Sequence, residues 1–274
     1  MKKTFEQVLS TNTPLIMGII NCSPDSFYNN SVAENVDIGL QMAHSFIYNG
    51  AEILDIGGQS TRPDFTEISI EEEIRRVIPL ITAIRKEFPD IIISIDSYRT
   101  QVITEAISAG ADWINDIGGG DFDSSVLSMV AGFKKPYICM HSSSLLKHLH
   151  QSTSTENIVA DIAQYFILKQ KHLNEFGIKN IIFDPGIGFG KTIEQNFTIL
   201  KNIEHLTSLR MPILIGLSRK SFMYKTLHKK PDEIIHATAA LHFWSILNGV
   251  KILRVHDVEE TKDIIQLAKN FNFP

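Results

Sequence analysis

The sequence is poor in cysteine and carries no excess of positive charge. Cys22 and Cys139 are its two cysteines among 274 residues, which is too few for a disulfide framework and too widely spaced for a paired metal motif. The net charge of −5 provides no basic footprint for nucleic acid. We therefore expect a protein of the reducing cytoplasm that does not bind nucleic acid and whose thiols are packed rather than reactive.

Segments that direct or anchor proteins to membranes are missing as well. The first six residues, MKKTFE, lack the apolar core of a signal peptide. No run of about 18 apolar residues exists that could span a bilayer. With 43% hydrophobic and 21% charged residues, the composition is that of a folded globular protein. We expect a cytoplasmic location and no membrane partner.

Short apolar runs alternate with amphipathic stretches along the whole chain. Eight strands are predicted, at Leu15–Ile20, Glu52–Ile56, Ile91–Ile95, Trp113–Asp116, Tyr137–Met140, Ile181–Phe183, Ile213–Gly216 and Ile252–Val255. Eight helices are predicted between and after them, at Val36–Asn49, Ile70–Phe88, Thr100–Ala109, Ser124–Ala131, Thr155–Phe176, Glu194–Ile203, Pro231–Asn248 and Val258–Asn270. Glycines that follow four of the helices are expected to be left-handed, namely Gly50, Gly110, Gly177 and Gly249.

This alternation predicts an α/β fold. Eight units of about 34 residues match the βα repeat of a (β/α)₈ TIM barrel. No linker or low-complexity segment interrupts the pattern, so residues 1–274 are expected to form a single domain. A doubly wound open sheet shares the βαβα order and remains the alternative.

Polar or charged residues follow every predicted strand. They are Asn21, Asp55 with the segment Gln59–Arg62, Asp96, Asn115 and Asp116, His141, Asp184, Ser218 to Lys220, and Arg254 to Asp257. In a parallel barrel all of these strand ends meet on one face, which is where the active sites of such enzymes lie. One aspartate after a strand is usually a cap, but eight converging clusters predict a site.

The residue types at these positions indicate the kind of ligand. Asp96, Asn115 and Asp184 suit a flat heterocycle with an amino group and ring N–H donors. Cationic and polar residues nearer the rim suit a phosphorylated group, namely Asn21, Thr61, Arg62, Lys220, Arg254 and His256. Ser221 opens a helix whose N-terminus could hold an anion.

Seven segments occur in an order and spacing that resemble the dihydropteroate synthases of the pterin-binding family. They are MGIINCSPDSF, GAEILDIGGQSTRP, ISIDS, NDIGGG, FDPGIGFGKT, LSRKSF and RVHDV, and the resemblance runs from about residue 14 to 269. It implies a (β/α)₈ barrel, commonly a homodimer, that condenses 6-hydroxymethyl-7,8-dihydropterin diphosphate with 4-aminobenzoate. The products are 7,8-dihydropteroate and diphosphate, in the folate-pathway step that sulfonamides block.

The resemblance also implies roles for individual residues. Pterin contacts fall on Asp96, Asn115, Asp184 and Lys220. Diphosphate contacts fall on Asn21, Thr61, Arg62, Arg254 and His256, and Asn21 is the implied Mg²⁺ contact. The aminobenzoate side falls on Phe27, Thr61, Pro63, Phe189, Lys220 and Ser221. No protein nucleophile is needed, because catalysis consists of positioning the substrates and stabilising charge on the departing diphosphate.

Two of the chain's departures from the family pattern bear on whether it is active. Gln59 stands where the family has an acid, and Ser142 to Lys147 replace a Gly-Thr-Pro stretch after strand five. These departures motivate one alternative, a catalytically inactive pterin-binding homologue. A second alternative is the related pterin-binding methyltransferase domain, although the cationic SRKS and RVHDV segments argue for a diphosphate instead.

Overall fold

A computed structural model describes residues 4–11, 13–22, 32–60, 66–142 and 155–271, and its centre is a barrel of eight parallel strands. The strands are β1 Leu15–Asn21, β2 Ile53–Gly57, β3 Ile92–Asp96, β4 Trp113–Asp116, β5 Tyr137–Met140, β6 Ile181–Asp184, β7 Leu214–Ile215 and β8 Ile252–Val255. They pair in the order β6-β5-β4-β3-β2-β1-β8-β7, and a parallel bridge between Phe183 and Ile213 connects β6 to β7. The predicted TIM barrel is confirmed, and the open doubly wound sheet is wrong.

Helices surround the barrel in the described part of the chain. They are α1 Phe5–Leu9, α2 Val32–Tyr48, α3 Ile70–Glu87, α4 Thr100–Ala109, α5 Val126–Phe133, α6 Ile158–Glu175, α7 Ile193–Lys201, α8 Ile203–Thr207, α9 Ser221–Leu227, α10 Ile235–Leu247 and α11 Val258–Ala268. Single 3₁₀ turns occupy Pro231–Glu233 and Lys269–Phe271. The four glycines expected to be left-handed, Gly50, Gly110, Gly177 and Gly249, all have positive φ.

The helical regions at α1, at α7 and α8, and at α10 differ from the sequence-based expectation, and α9, the helix that Ser221 was expected to open, is additional to the eight predicted helices. Helix α1 was not predicted, because five residues are too few for the hydrophobic period to show. It nevertheless has a capping box at Thr4 and Gln7. The helix predicted at Glu194–Ile203 breaks at Asn202, which separates α7 from α8. The helix predicted from Pro231 begins as the 3₁₀ turn, and its α-helical part starts at Ile235.

Each strand presents alternate residues to the barrel interior and to the helices. An interior cluster fills the lower barrel and consists of Leu15, Met17, Ile53, Ile92, Trp113, Ile138, Ile182, Leu214 and Ile252. Their neighbours in sequence belong to the larger outer core packed under the helices, for example Leu54, Ile93, Ile114 and Leu253. Because both faces are buried, the strands read as continuous apolar runs, and this explains why their positions were predictable.

Among the described residues, no helix is long and apolar enough to cross a bilayer. Cys22 and Cys139 are both free and buried. Burial raises the pKa of each thiol to about 12, so both are protonated at neutral pH and pack as small apolar side chains.

Candidate active site

The interior face of each strand changes from apolar to polar toward its carboxyl end. On β2 the interior residues run Ile53, Asp55, Gly57, and on β3 they run Ile92, Ser94, Asp96. The same alternation places Asn115 above Trp113, Asp184 above Ile182, and Arg254 above Ile252. The inward-facing residues near the start of each strand are apolar and fill the barrel floor. Those near its carboxyl end are polar and therefore line the barrel mouth.

Arg254 ties three of these side chains together. Its Nε donates to Asp55 Oδ2 over 2.6 Å, and its Nη2 donates to Asp96 Oδ2 over 2.6 Å. Asn115 Nδ2 donates to the same Asp55 oxygen over 3.0 Å. Asp55 is fully buried, and Arg254 and Asp96 are mostly buried. A guanidinium between two carboxylates compensates buried charge that would otherwise be costly.

The electrostatics of this group depend on burial and on charge pairing. Burial and the nearby Asp55 charge together raise the pKa of Asp96 to about 7, although Arg254 opposes the shift. Burial alone would lower the pKa of Arg254, but Asp55 and Asp96 outweigh burial, and the net shift is upward. Asp96 therefore titrates near neutral pH while Arg254 stays cationic.

The two polar residues at the end of β4 have different roles. Asn115 faces the barrel interior, whereas Asp116 accepts hydrogen bonds from the Gly118 and Gly120 N–H groups over 2.7 and 2.8 Å. Asp116 also accepts from the Tyr137 hydroxyl over 2.6 Å. Asp116 thus holds the turn after β4, and Asn115 is the residue of the pair that can reach a ligand.

The glycine-rich turn after β6 is organised by Asp184. Its Oδ1 accepts from Gly186 N over 2.7 Å, and Gly186, Gly188 and Gly190 all have positive φ. A Cβ on Gly186 would lie 2.2 Å from the carbonyl oxygen of His141, so no other residue fits there. Asp184 thus stabilises the turn through Oδ1, and its Oδ2 takes no part in this bond. It is not a helix cap. Thr192 caps α7 instead.

Lys220 joins this turn to the end of β7. Its Nζ lies 4.0 Å from the centroid of the Phe189 ring, in cation–π contact. Burial lowers the pKa of Lys220 to about 8, and Asp184 opposes that shift. Burial likewise raises the pKa of Asp184, opposed by the Gly186 N–H and by Lys220. An aromatic ring, an ammonium and a carboxylate thus form one wall of the mouth.

Residues near the rim of β7 and β8 include His256 and Ser221. Ser221 is the first residue of α9, as the sequence indicated. The His256 N–H lies 3.4 Å from Ser218 Oγ, and Arg219 pairs with Asp257 over 2.8 Å. We expected a cationic His256, but burial and then Arg254 lower the pKa of its imidazole to about 4. The ring is therefore neutral at pH 7 in the free protein.

A magnesium ion would find hard oxygen donors at the end of β1. A Cβ built on Gly57 would lie 3.6 Å from Asn21 Oδ1 and 3.5 Å from Asp96 Oδ2, so both oxygens border the same small residue. Within the described residues, no group of three or more His, Cys, Asp or Glu side chains could hold a metal ion. Because Asp96 Oδ2 is already bonded to Arg254 Nη2, Asn21 is the donor that fits, for an ion that keeps several waters and is bound mainly by substrate phosphates.

Gln59 holds the base of the loop after β2. Its Nε2 donates to Ser60 O over 2.9 Å and to Thr66 O over 3.2 Å, and its Oε1 accepts from Ile68 N over 2.9 Å. An ionised glutamate could not make the two donor contacts. The departure at residue 59 therefore has a local structural use in this chain.

Some predicted site residues cannot be placed. Phe27, Thr61, Arg62 and Pro63 lie outside the described residues. Most of the altered segment after β5 lies there too, because the description stops at Ser142 and resumes at Thr155. The structure brings together the nine remaining predicted residues at the carboxyl end of the barrel, namely Asn21, Asp96, Asn115, Asp184, Phe189, Lys220, Ser221, Arg254 and His256.

Asp55 was named as a strand-end residue but was not placed in the predicted site. Its bonds to Arg254 and Asn115 cross the barrel and join residues far apart in sequence. The sequence did contain a signal for this place, because Asp55 lies between Ile53 and Gly57 in the set of alternate β2 residues that face the barrel interior. That alternation would have placed it beneath the mouth.

A parallel (β/α)₈ barrel with its charged residues gathered at the carboxyl ends of the strands defines an enzyme of the TIM-barrel class. Residues 17–256 match the family described as "Pterin binding enzyme". The dihydropteroate synthase of Synechocystis sp. is 40% identical over 256 residues, which cover 92% of this chain and 88% of that protein. The chain therefore belongs to the dihydropteroate synthase family of pterin-binding enzymes.

Solved structures agree with this assignment. The Clostridium difficile dihydropteroate synthase, crystallised in the presence of pteroic acid, has a TM-score of 0.89 at 35% identity, and the match covers 96% of this chain and 98% of that one. The Yersinia pestis dihydropteroate synthase in complex with a sulfonamide drug also has a TM-score of 0.89, at 34% identity, with 96% and 95% covered. A transferase is thus supported, and the methyltransferase alternative is not favoured.

Proposed function

We propose that this protein condenses 6-hydroxymethyl-7,8-dihydropterin diphosphate with 4-aminobenzoate to give 7,8-dihydropteroate and diphosphate. The observation that carries the proposal is the cluster of Asp55, Asp96, Asn115 and Arg254 at the barrel mouth, in a chain 40% identical to a dihydropteroate synthase. Residues 1–274 would act as one pterin-binding domain. Sulfonamides, one of which is bound in the Yersinia pestis relative, would compete for the aminobenzoate side.

The pterin would lie on the interior polar floor. Asp96 and Asp184 supply acceptors for the ring N–H and amino groups, and Asn115 supplies an amide. Lys220 would contact the pterin from the side of Phe189. Because diphosphate leaves from a methylene attached to an electron-rich ring, positive charge develops on the pterin, and the two nearby carboxylates stabilise it.

The diphosphate would lie above this floor, at the rim. Asn21 and His256 border that level, and Arg254 uses two of its five N–H groups on Asp55 and Asp96. Thr61 and Arg62, which lie outside the described residues, are the further proposed contacts. Magnesium, when bound through Asn21, would neutralise charge on the departing diphosphate. The weakly basic aniline nitrogen of aminobenzoate then attacks the methylene, and no protein nucleophile takes part.

The aminobenzoate side would be formed by Phe189, Lys220 and Ser221, together with Phe27, Thr61 and Pro63 from segments outside the described residues. Phe189 packs beside the small apolar cluster of Tyr98, Ile117 and Met140 at the mouth. A benzene ring fits such a surface, and its carboxylate would face the cationic side chains.

A homodimer is supported by exposed apolar side chains on adjacent helices. Phe197 on α7, Leu227 on α9 and Trp244 on α10 are all exposed. Phe197 stacks edge-on against Phe222 of α9, and Trp244 Nε1 donates to Leu200 O of α7, so these helices share a face. A second copy of the chain would cover it. Trp244→Glu should yield monomers in light scattering, whereas Tyr48→Glu, at an exposed position on α2, should not.

Turnover by the purified protein tests the proposed reaction. With pterin diphosphate, aminobenzoate and Mg²⁺ together, we expect dihydropteroate by chromatography and equimolar diphosphate. Binding of pterin without turnover would identify an inactive homologue, and methyl transfer to a corrinoid acceptor would identify the methyltransferase. Removing Mg²⁺ with a chelator should depress turnover, and unchanged turnover would exclude the magnesium role.

A cytoplasmic location is proposed on the strength of the two free, buried thiols.

A further inference from the structure

We propose that Lys191 is a positioning residue for the aminobenzoate side of the pocket, because its ammonium fixes the turn at residues 186–190 and thereby seats the Phe189 ring beneath Lys220. This inference rests on the proposed function for the identity of the ligand. Lys191 is not among the predicted site residues, although it belongs to the FDPGIGFGKT segment.

The Lys191 ammonium lies inside the turn. Its Nζ donates to Gly186 O over 2.9 Å and to Phe189 O over 3.0 Å, and it lies 3.5 Å from His141 O. Three donors thus meet three carbonyl oxygens, two from the turn after β6 and one from the end of β5. One side chain fastens the turn internally and connects it to the neighbouring strand.

The shape of the turn explains the need for a cation. Positive φ at Gly186, Gly188 and Gly190 brings carbonyl oxygens together around a small interior. Gly188 N donates to Asn196 Oδ1 over 2.7 Å, outside the turn. This bond gives a partner to an N–H group but to none of the carbonyl oxygens. An ammonium with three donors suits these oxygens, and an apolar side chain would remove the charged donor from each of them, although Gly186 O would still accept from Phe189 N over 3.1 Å.

The turn transmits this constraint to the pocket through Phe189. Lys191 holds the carbonyl of Phe189, and the ring of the same residue lies 4.0 Å from Lys220 Nζ. Lys191 is also a second cation near Asp184 and opposes the rise in the pKa of that carboxyl. Burial lowers the pKa of Lys191 itself to about 7, opposed by Asp184 and reinforced by Lys220. Loosening the turn would therefore displace the aminobenzoate wall while Asp96 and Asn115 keep their places.

Lys191→Met keeps the length of the side chain and removes every donor. We expect KM for aminobenzoate to rise about tenfold while KM for pterin diphosphate changes less than about threefold, because the charge-assisted bonds that are lost hold the turn that carries Phe189. Asp184 loses only a second nearby cation and keeps its bond to Gly186 N. The matched control is Lys201→Met, at an exposed lysine on α7, which should leave both values unchanged. Lys191→Arg should recover part of the loss, because a guanidinium can still donate to the carbonyls.

A double-mutant cycle tests whether Lys191 acts through Phe189. In a Phe189→Ala background, Lys191→Met should change KM for aminobenzoate little further. A full additional tenfold rise in that background would overturn the proposal, as would equal rises in KM for both substrates in the single variant.

Hydrogen exchange supplies a test that does not depend on turnover. Amides of residues 186–190 should exchange faster in Lys191→Met than in the wild type or in Lys201→Met, while the amides of β2 and β3 keep their protection. Unchanged exchange across residues 186–190 would refute the positioning role even in an active enzyme. If the wild type has no synthase activity and Lys191→Met still exchanges faster at residues 186–190, the positioning role is supported and the proposed function is rejected. Should Lys191→Met fail to fold, Lys191→Gln, which keeps an amide donor and loses the charge and the reach, is compared with the wild type by the same two measurements, and identical results would overturn the proposal.

Discussion

Arg254 Nη2 lies 2.6 Å from Asp96 Oδ2, so a cation on the last strand of the barrel is bonded to a carboxylate on the third. The Nε of the same guanidinium is bonded to Asp55 on the second strand. The residue implied as a diphosphate contact is thus also the counter-ion of the proposed pterin floor. The two substrate regions share one charged side chain, and a change there should affect both.

Arg254→Met should therefore be costly for folding as well as for turnover. Removing the guanidinium leaves Asp55 buried without its cation, and breaking such a pair costs about 3–5 kcal/mol of unfolding free energy. Urea unfolding should show this loss, and turnover should fall below detection. Arg219→Met, which breaks an exposed pair with Asp257, should cost less than about 1 kcal/mol. Equal stability of the two variants would show that the Arg254 pairs contribute nothing net.

The sequence predicted the barrel because strands buried on both faces are continuous apolar runs, and glycines mark the helix ends. The alternation of inward-facing and outward-facing residues along those strands also predicted that Asp96, Asn115 and Asp184 lie together at the barrel mouth. Their roles toward substrates stay predictions. The predicted carboxyl ends of four strands fell one residue short of Asn21, Gly57, Asp96 and Asp184, since polar residues and glycine that continue a strand look like the start of a loop. Strand β7 instead ends at Ile215, one residue before the predicted end.

Other features depend on three-dimensional contacts that no local pattern reports. The pairing of Asp55 with Arg254 joins β2 to β8, and the neutral state of His256 follows from burial beside Arg254. The carbonyl oxygens around the Lys191 ammonium come from the end of β5 as well as from the turn after β6. The expected roles of Phe27, Thr61, Arg62 and Pro63 stay predictions, because these residues lie outside the described ones.

The acidic limb of the pH profile should report Asp96. Its pKa is raised to about 7, so the carboxylate that accepts pterin N–H groups is lost as pH falls through that value. We expect kcat/KM for pterin diphosphate to rise between about pH 6 and 8. Asp55→Asn removes a negative neighbour, so it should ease the ionisation of Asp96 and move this limb to lower pH. Asp123→Asn, at a carboxyl with a pKa of about 2, should leave it in place. An unmoved limb in Asp55→Asn would assign it to another group.

Asp184→Asn separates the turn-forming role of this residue from its binding role. An asparagine oxygen can still accept from Gly186 N, so the turn and the melting temperature should be retained. The ligand loses a buried charged acceptor, and pterin diphosphate affinity should fall by about 2–5 kcal/mol in calorimetry. Asp121→Asn, which removes the partner of Lys169, serves as the control and should bind normally. Full affinity in folded Asp184→Asn would restrict Asp184 to holding the turn.

The alkaline limb should report Lys220. Burial lowers its pKa to about 8, opposed by the Asp184 charge, so the ammonium that faces Phe189 is lost as pH rises through that value. We expect kcat/KM to fall above about pH 8 in the wild type. Lys220→Arg should lower activity overall but abolish this limb, because a guanidinium stays protonated throughout the range. The profile of Lys191→Arg is the matched comparison, since the pKa of Lys191 also falls, to about 7. If the limb persists in Lys220→Arg and disappears in Lys191→Arg, the titrating group is the lysine inside the turn, and Lys220 stays charged across the working range.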